Sequence, residues 1–140
     1  MPDAAKIVTY GGRPITPLLG RTPDDVTNAL GAPVSSNQDG TGAIANIYYD
    51  DILLWFDGGL FTFLENYDPS ALEVAGVTLN KDRATLIGLL GQPDTEGWGE
   101  GAYGGDNIFF MNYYLDNYRL YLEFEFGPDF PPYMALISLR

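Results

Sequence analysis

A twelve-residue stretch occurs twice in this chain, sixty positions apart. Thr22-Pro23-Asp24-Asp25-Val26-Thr27-Asn28-Ala29-Leu30-Gly31-Ala32-Pro33 reads as a short helix with its stop signal. Asp82-Arg83-Ala84-Thr85-Leu86-Ile87-Gly88-Leu89-Leu90-Gly91-Gln92-Pro93 reads the same way. The register holds from Leu19 and Leu79 through Val26 and Leu86, Leu30 and Leu90, and Gly31 and Gly91, to Pro33 and Pro93. A glycine after the last apolar residue supplies the left-handed terminus of a helix, and the proline prevents its continuation. Helices of two to three turns are marginal alone in water, so both must pack on something else.

The local chemistry agrees. Thr22 is a candidate N-cap, Pro23 fits the first helical position, and Asp24 and Asp25 suit the positive end of the helix dipole. In the second helix Asn80 is the candidate cap, and Leu86, Leu89 and Leu90 form the apolar stripe. A small hairpin precedes each helix. The first runs through Lys6–Tyr10, Gly11-Gly12 and Pro14–Thr16, and the second through Leu72–Val74, Ala75-Gly76 and Val77–Leu79. After each helix comes a polar or glycine-rich loop, 34–42 and then 94–105. Strands are expected at 45–49, 52–56, 60–65, 108–114, 118–126 and 133–139. In the longest, Tyr118, Leu120, Leu122, Phe124 and Phe126 take one face and Arg119, Tyr121, Glu123 and Glu125 the other. This alternation predicts an antiparallel sheet with one face toward the helices and one toward solvent or a partner. The expected fold is α+β: two tandem helix-plus-antiparallel-sheet repeats, residues 1–66 and 67–140, with helices on one face of a curved sheet.

The chain of 140 residues carries 19 acidic and 7 basic side chains, a net charge of −12, with no cysteine and no histidine. Both halves are acidic, and no Lys or Arg lies between Arg83 and Arg119. This speaks against nucleic-acid binding, which needs cations facing phosphates. It suits a basic protein partner, because complementary charge steers encounter. An acidic surface kept for solubility is the plain alternative. Missing histidine and cysteine removes the usual acid–base group, the nucleophilic triads and most zinc sites. Glu123 and Glu125 could be read as a glycosidase pair, but two positions apart on one strand they are neighbours with no sugar cleft between them. Asp39-Gly40 and Asp50-Asp51 lack the spaced oxygens of a calcium loop. No enzyme activity, metal or cofactor is expected. No apolar run reaches the ~18 residues of a membrane helix, and Met1–Tyr10 lacks the apolar core of a secretory signal. The expected location is cytoplasmic.

Two sets of residues are candidates for partner contact. The first joins aromatics and carboxylates: Tyr48, Tyr49, Asp50, Asp51 and Trp55 in the first half, and Tyr113, Tyr114, Asp116, Tyr118, Tyr121, Glu123 and Glu125 in the second. Tyrosine and tryptophan supply contact area with few torsions to freeze, and carboxylates pair with a partner's Arg or Lys. Asp50 and Asp51 read equally as turn residues. The second set is the loop with Trp98, Glu100, Tyr103 and Asp106. It is read either as an aromatic plug for a basic cleft or as a cover for the sheet end.

A helix ending Leu-Gly-x-Pro, a glycine-rich loop and three aromatic strands, present twice, resembles the β-lactamase inhibitory protein architecture. It is also similar to small outer-membrane assembly lipoproteins, and related folds occur among toxin immunity proteins. The resemblance implies protein binding through the exposed sheet face. The chain departs from it in lacking the inhibitor's cysteines and the lipoprotein's lipobox cysteine. The reading it implies is an acidic inhibitor, most concretely an immunity protein that occludes a bacterial toxin. The alternatives are an envelope-assembly or structural protein-binding module, and a small-molecule binder.

Overall fold

A computed structural model of the chain describes residues 6–140; Met1–Ala5, part of the segment read against a secretory signal, lie outside the described residues. The fold is α+β and mostly strand. Its elements run β1 (Val8–Tyr10), β2 (Arg13–Pro14), α1 (Pro23–Leu30), β3 (Ser35–Gln38), β4 (Ile44–Tyr49), β5 (Ile52–Asp57) and β6 (Leu60–Asn66). The same order then recurs as β7 (Leu72–Val74), β8 (Val77–Thr78), α2 (Arg83–Leu90), β9 (Thr95–Gly99), β10 (Ile108–Tyr114), β11 (Tyr118–Phe124) and β12 (Met134–Leu139).

There are two antiparallel sheets. The hairpins form a four-stranded sheet in the order β2-β1-β7-β8, joined by pairing of Thr9 with Glu73. The remaining strands form an eight-stranded sheet in the order β3-β4-β5-β6-β12-β11-β10-β9, joined where Leu64 pairs with Ile137. This corrects the expected strand content. Four strands, not three, follow each helix, because part of each polar loop is an edge strand. Ser35–Gln38 pairs with β4 and Thr95–Gly99 with β10. Ser35–Gln38 is exposed along its whole length, so its alternation carries no apolar signal, and pairing alone holds it extended.

The helix caps follow from sequence. Thr22 Oγ1 accepts from the Asp25 amide at 3.3 Å, and Asp82 Oδ1 accepts from the Thr85 amide at 2.9 Å. The cap of α2 is therefore Asp82, not Asn80; Asn80 Oδ1 accepts instead from the Thr78 hydroxyl. Both helices end on glycine, Gly31 with φ 91° and Gly91 with φ 89°, a region that side chains with a Cβ avoid.

One face of the large sheet is the core face. Ile47, Leu54, Leu64, Leu120, Leu122 and Ile137 are buried there beside Val26, Leu30, Leu86 and Leu90 of the helices. Two tyrosines of this face fasten the helix ends: the Tyr49 hydroxyl donates to the Gly31 carbonyl, and the Tyr113 hydroxyl to the Gly91 carbonyl, each at 2.8 Å. At the start of α2, Arg83 donates from Nε and a terminal nitrogen to both oxygens of Glu96 on β9, at 2.5 and 2.8 Å. A bulge corrects the alternation in β6. Trp55 pairs with Phe63 but Phe56 with Phe61, so Phe61 turns into the core. Phe126, expected on the core face, lies beyond the end of β11 and is 73% exposed.

Candidate functional site

The face of the large sheet turned away from the core is the candidate site. Period-two alternation along β4, β5, β6, β10, β11 and β12 places Tyr48, Leu53, Trp55, Glu65, Tyr114, Arg119, Tyr121 and Glu123 on it. Aromatic rings cover much of this face. Phe110 stacks on Tyr121 with centroids 6.1 Å apart. The Arg119 guanidinium lies over Tyr121 at 5.4 Å and Tyr114 at 6.0 Å, while its Nε donates to Asn112 Oδ1 at 2.6 Å.

Two carboxylates are set into the aromatic face, and their settings differ. Glu65 is half-buried. It accepts from Trp55 Nε1 at 2.5 Å and from the Tyr67 hydroxyl at 2.6 Å. The hydrogen bond to Glu65, followed by burial, pushes the Tyr67 hydroxyl well above its ordinary value of 10. Burial and the Glu65 charge push Tyr103, on the loop after β9, up to about 12.

Glu123 is fully buried, a correction to its expected place in an open partner-binding surface. The cause is the loop 100–105, which folds over it. The Ala102 amide donates to Glu123 Oε2 at 2.9 Å, and the Tyr133 hydroxyl donates to Oε1 at 3.0 Å. Those donors replace part of the water that burial removes. Gly101 is needed where the loop crosses the carboxylate. A Cβ there would lie 2.6 Å from Glu123 Oε1 and 2.5 Å from the Gly104 carbonyl. Burial, with Glu123 alongside, raises both Tyr121 and Tyr133 to about 12.

The structure thus divides the expected contact residues. Tyr48 and Trp55 are exposed on the outer face, and Tyr121 is partly so. Asp50 and Asp51 occupy the β4–β5 turn, where Asp51 has φ 67°. Asp116 lies in the β10–β11 turn, and Glu125 is exposed just past β11. Tyr49, Tyr113 and Tyr118 are corrected outright: all three are buried on the core face, and Tyr49 and Tyr113 hold the ends of α1 and α2. Trp98 pairs across from Phe109 on the core side and extends an edge-to-face row through Phe109 to Phe124, at 5.5 and 5.6 Å. It packs at the sheet end yet is 59% exposed, which is compatible with both of the expected roles. Glu100, Tyr103 and Asp106 are exposed on the loop.

Sequence reasoning missed Glu65, Tyr67, Leu53 and Asp68. Together with Tyr48 and Asp51 they line a cleft of about 260 Å³ beside the β4–β5 turn. Glu65 was legible as a residue of the strand that returns along 52–56, but the sequence did not single out Tyr67 and Asp68, which line the cleft from the segment after β6. Among the described residues, no group of three or more Asp or Glu is arranged to hold a metal ion, and no helix is long and apolar enough to cross a membrane.

No family model matches the sequence, and no curated protein matches it. A solved structure does share the fold: a 1.5 Å crystal structure of an extracellular protein containing an SCP domain, from Bacillus anthracis strain Ames. It superposes with a TM-score of 0.57 at 8% identity, over 93% of this chain and 47% of that chain. The likeness therefore carries the fold alone, and this chain spans about half the length of the protein it resembles. This overturns the resemblance to β-lactamase inhibitory protein, the assembly lipoproteins and immunity proteins, since the fold is matched by a different protein. A helix ending Leu-Gly-x-Pro, even repeated, does not single out one architecture. It overturns the expected cytoplasmic location as well. The protein sharing the fold is extracellular, and an absence of cysteine does not assign a compartment.

Proposed function

We propose that this chain is a non-catalytic binding module that receives a basic protein on the outer face of its eight-stranded sheet. We infer also that it is built from two tandem copies of one helix-and-sheet unit, whose sheets join edge to edge into a single surface. The observation that carries the binding reading is the cluster of Trp55, Glu65 and Tyr67 beside exposed Tyr48, an aromatic surface with a carboxylate at its centre. Aromatics of this kind anchor interfaces, and a carboxylate between them selects a cation. The net charge of −12 would speed encounter with a basic partner. If that partner is a toxin or another enzyme, the module acts as an inhibitor by covering a cationic active site, with no chemistry of its own.

The test is affinity capture from the source organism's cells and medium, with the unsubstituted chain and with a Tyr48→Ser/Tyr67→Ser variant side by side. The expected result is a basic protein retained by the first at low salt, released at high salt, and lost from the second. Equal retention by both would place the contact elsewhere. A second reading is favoured by the fold's forming 47% of a longer extracellular chain. In that reading the module docks onto a companion domain, as a structural or envelope-assembly element, and the retained protein is a domain of its own parent protein.

A further inference from the structure

The two halves of the outer face differ at one pair of matching places, and the difference assigns a ligand. The ladders fix the match. Tyr49 pairs with Ile52 and holds Gly31, while Tyr113 pairs with Leu120 and holds Gly91. Tyr48 therefore corresponds to Asn112, Leu53 to Tyr121, and Asp51, just before Ile52, to Arg119, just before Leu120. In the second half this place is filled from within: Arg119 lies over Tyr121 and donates to Asn112. In the first half the matching place is open. It is the cleft of about 260 Å³ lined by Tyr48, Asp51, Leu53, Glu65, Tyr67 and Asp68.

The geometry points to this cleft as the seat of a guanidinium or ammonium side chain, arginine by preference, presented by a basic polypeptide. This rests on the proposed reading of the outer face and names what that face recognises. Three carboxylates line the cleft, Asp51, Glu65 and Asp68. Among the described residues none of them has a cationic partner, the ion pairs there being Arg21 with Asp25 and Arg83 with Glu96. Glu65 uses one bond on each oxygen, to Trp55 and Tyr67, and a carboxylate accepts about four. Tyr48 and Tyr67 are 41% and 58% exposed, so their ring faces are open to a cation. Arginine is preferred over lysine because its planar group both stacks on an aromatic face and forks onto a carboxylate. The volume falls below the ~300 Å³ at which pockets for whole small molecules begin, which suits one side chain. The rest of the partner would lie along the aromatic face that continues past Trp55.

The test uses Trp55 as reporter, because its indole nitrogen bonds the carboxylate in question. In a Trp98→Phe background it is the single tryptophan, since the chain has two. The probe is a short arginine-containing peptide at low salt, with a matched citrulline peptide, and with methylguanidine as the free cation. The expected result is a saturable change in Trp55 emission with the arginine peptide and none with citrulline. Glu65→Gln, which keeps an acceptor for Trp55, should weaken binding roughly tenfold or more, as expected for loss of a charged hydrogen-bond partner. Tyr48→Ala should weaken it too, while Asp129→Asn, an exposed position outside the cleft, should not. Calorimetry that shows the peptide bound while Trp55 is silent and Glu65→Gln is without effect would overturn the cleft and leave the basic-partner reading standing. Methylguanidine binding as tightly as the peptide would overturn the polypeptide assignment. No heat with the arginine peptide on the unsubstituted chain would overturn both.

Discussion

Tyr49 and Tyr113 each act at two places. Their rings fill the core face of the sheet, and their hydroxyls satisfy a carbonyl at the end of a helix, at 2.8 Å in both cases. Removing either hydroxyl loses one hydrogen bond and leaves the packing in place. Tyr49→Phe and Tyr113→Phe should therefore each cost about 1 kcal/mol of unfolding free energy, and the two costs should agree closely. Denaturant titration of the two variants measures this; a large cost for one and none for the other would contradict their equivalence. At this scale the sequence was a good guide where a residue type has one conformational use. Gly31 and Gly91 were legible as helix stops because few other residues take a φ near 90°. Tyrosine is different, since it is equally at home in a core and at an interface. Nothing near Tyr113 in sequence distinguished its buried place from the exposed place of Tyr48. Glu123 was misplaced for a related reason. Alternation put it correctly on the outer face, but not the later folding of the Gly101 loop across it.

Among elements, strands with apolar alternation were legible and edge strands were not. Ser35–Gln38 and Thr95–Gly99 are extended because β4 and β10 offer them a hydrogen-bonding edge, and that edge lies outside their own sequence. The second of them carries the link to α2. Arg83 forks onto Glu96 and holds the Glu96 carboxyl below its ordinary value of 4.5. A carboxyl lowered on folding contributes stability that is present above 4.5 and lost as pH falls through the lowered folded value. Glu96→Gln should therefore be less stable than the parent near neutral pH, by a small amount because both partners are partly exposed. The gap should close on the acid side of 4.5. Urea unfolding across that range tests it, and a gap that stays constant through the acid limb would mean the pair contributes through packing alone.

In the molecule as a whole, residues before and after position 66 are joined by two strand pairings, β1 with β7 and β6 with β12. Because β6 and β12 join edge to edge, the eight strands form one continuous sheet with a single outer face. The two ends of that face differ: one is closed by Arg119 and by the loop over Glu123, and the other is left open around Glu65. Open aromatic surface with uncompensated carboxylates is the central ground for reading this protein as a receiver of basic partners. Hydroxyl-radical footprinting tests it most directly, comparing the free chain with the chain saturated by the arginine peptide or by a captured basic protein. Protection of Tyr48, Trp55 and Tyr67 is expected, with Trp98, Phe126 and Phe130 oxidised as in the free chain. Protection of Trp98, Phe126 and Phe130 instead, with Tyr48, Trp55 and Tyr67 still oxidised, would contradict it.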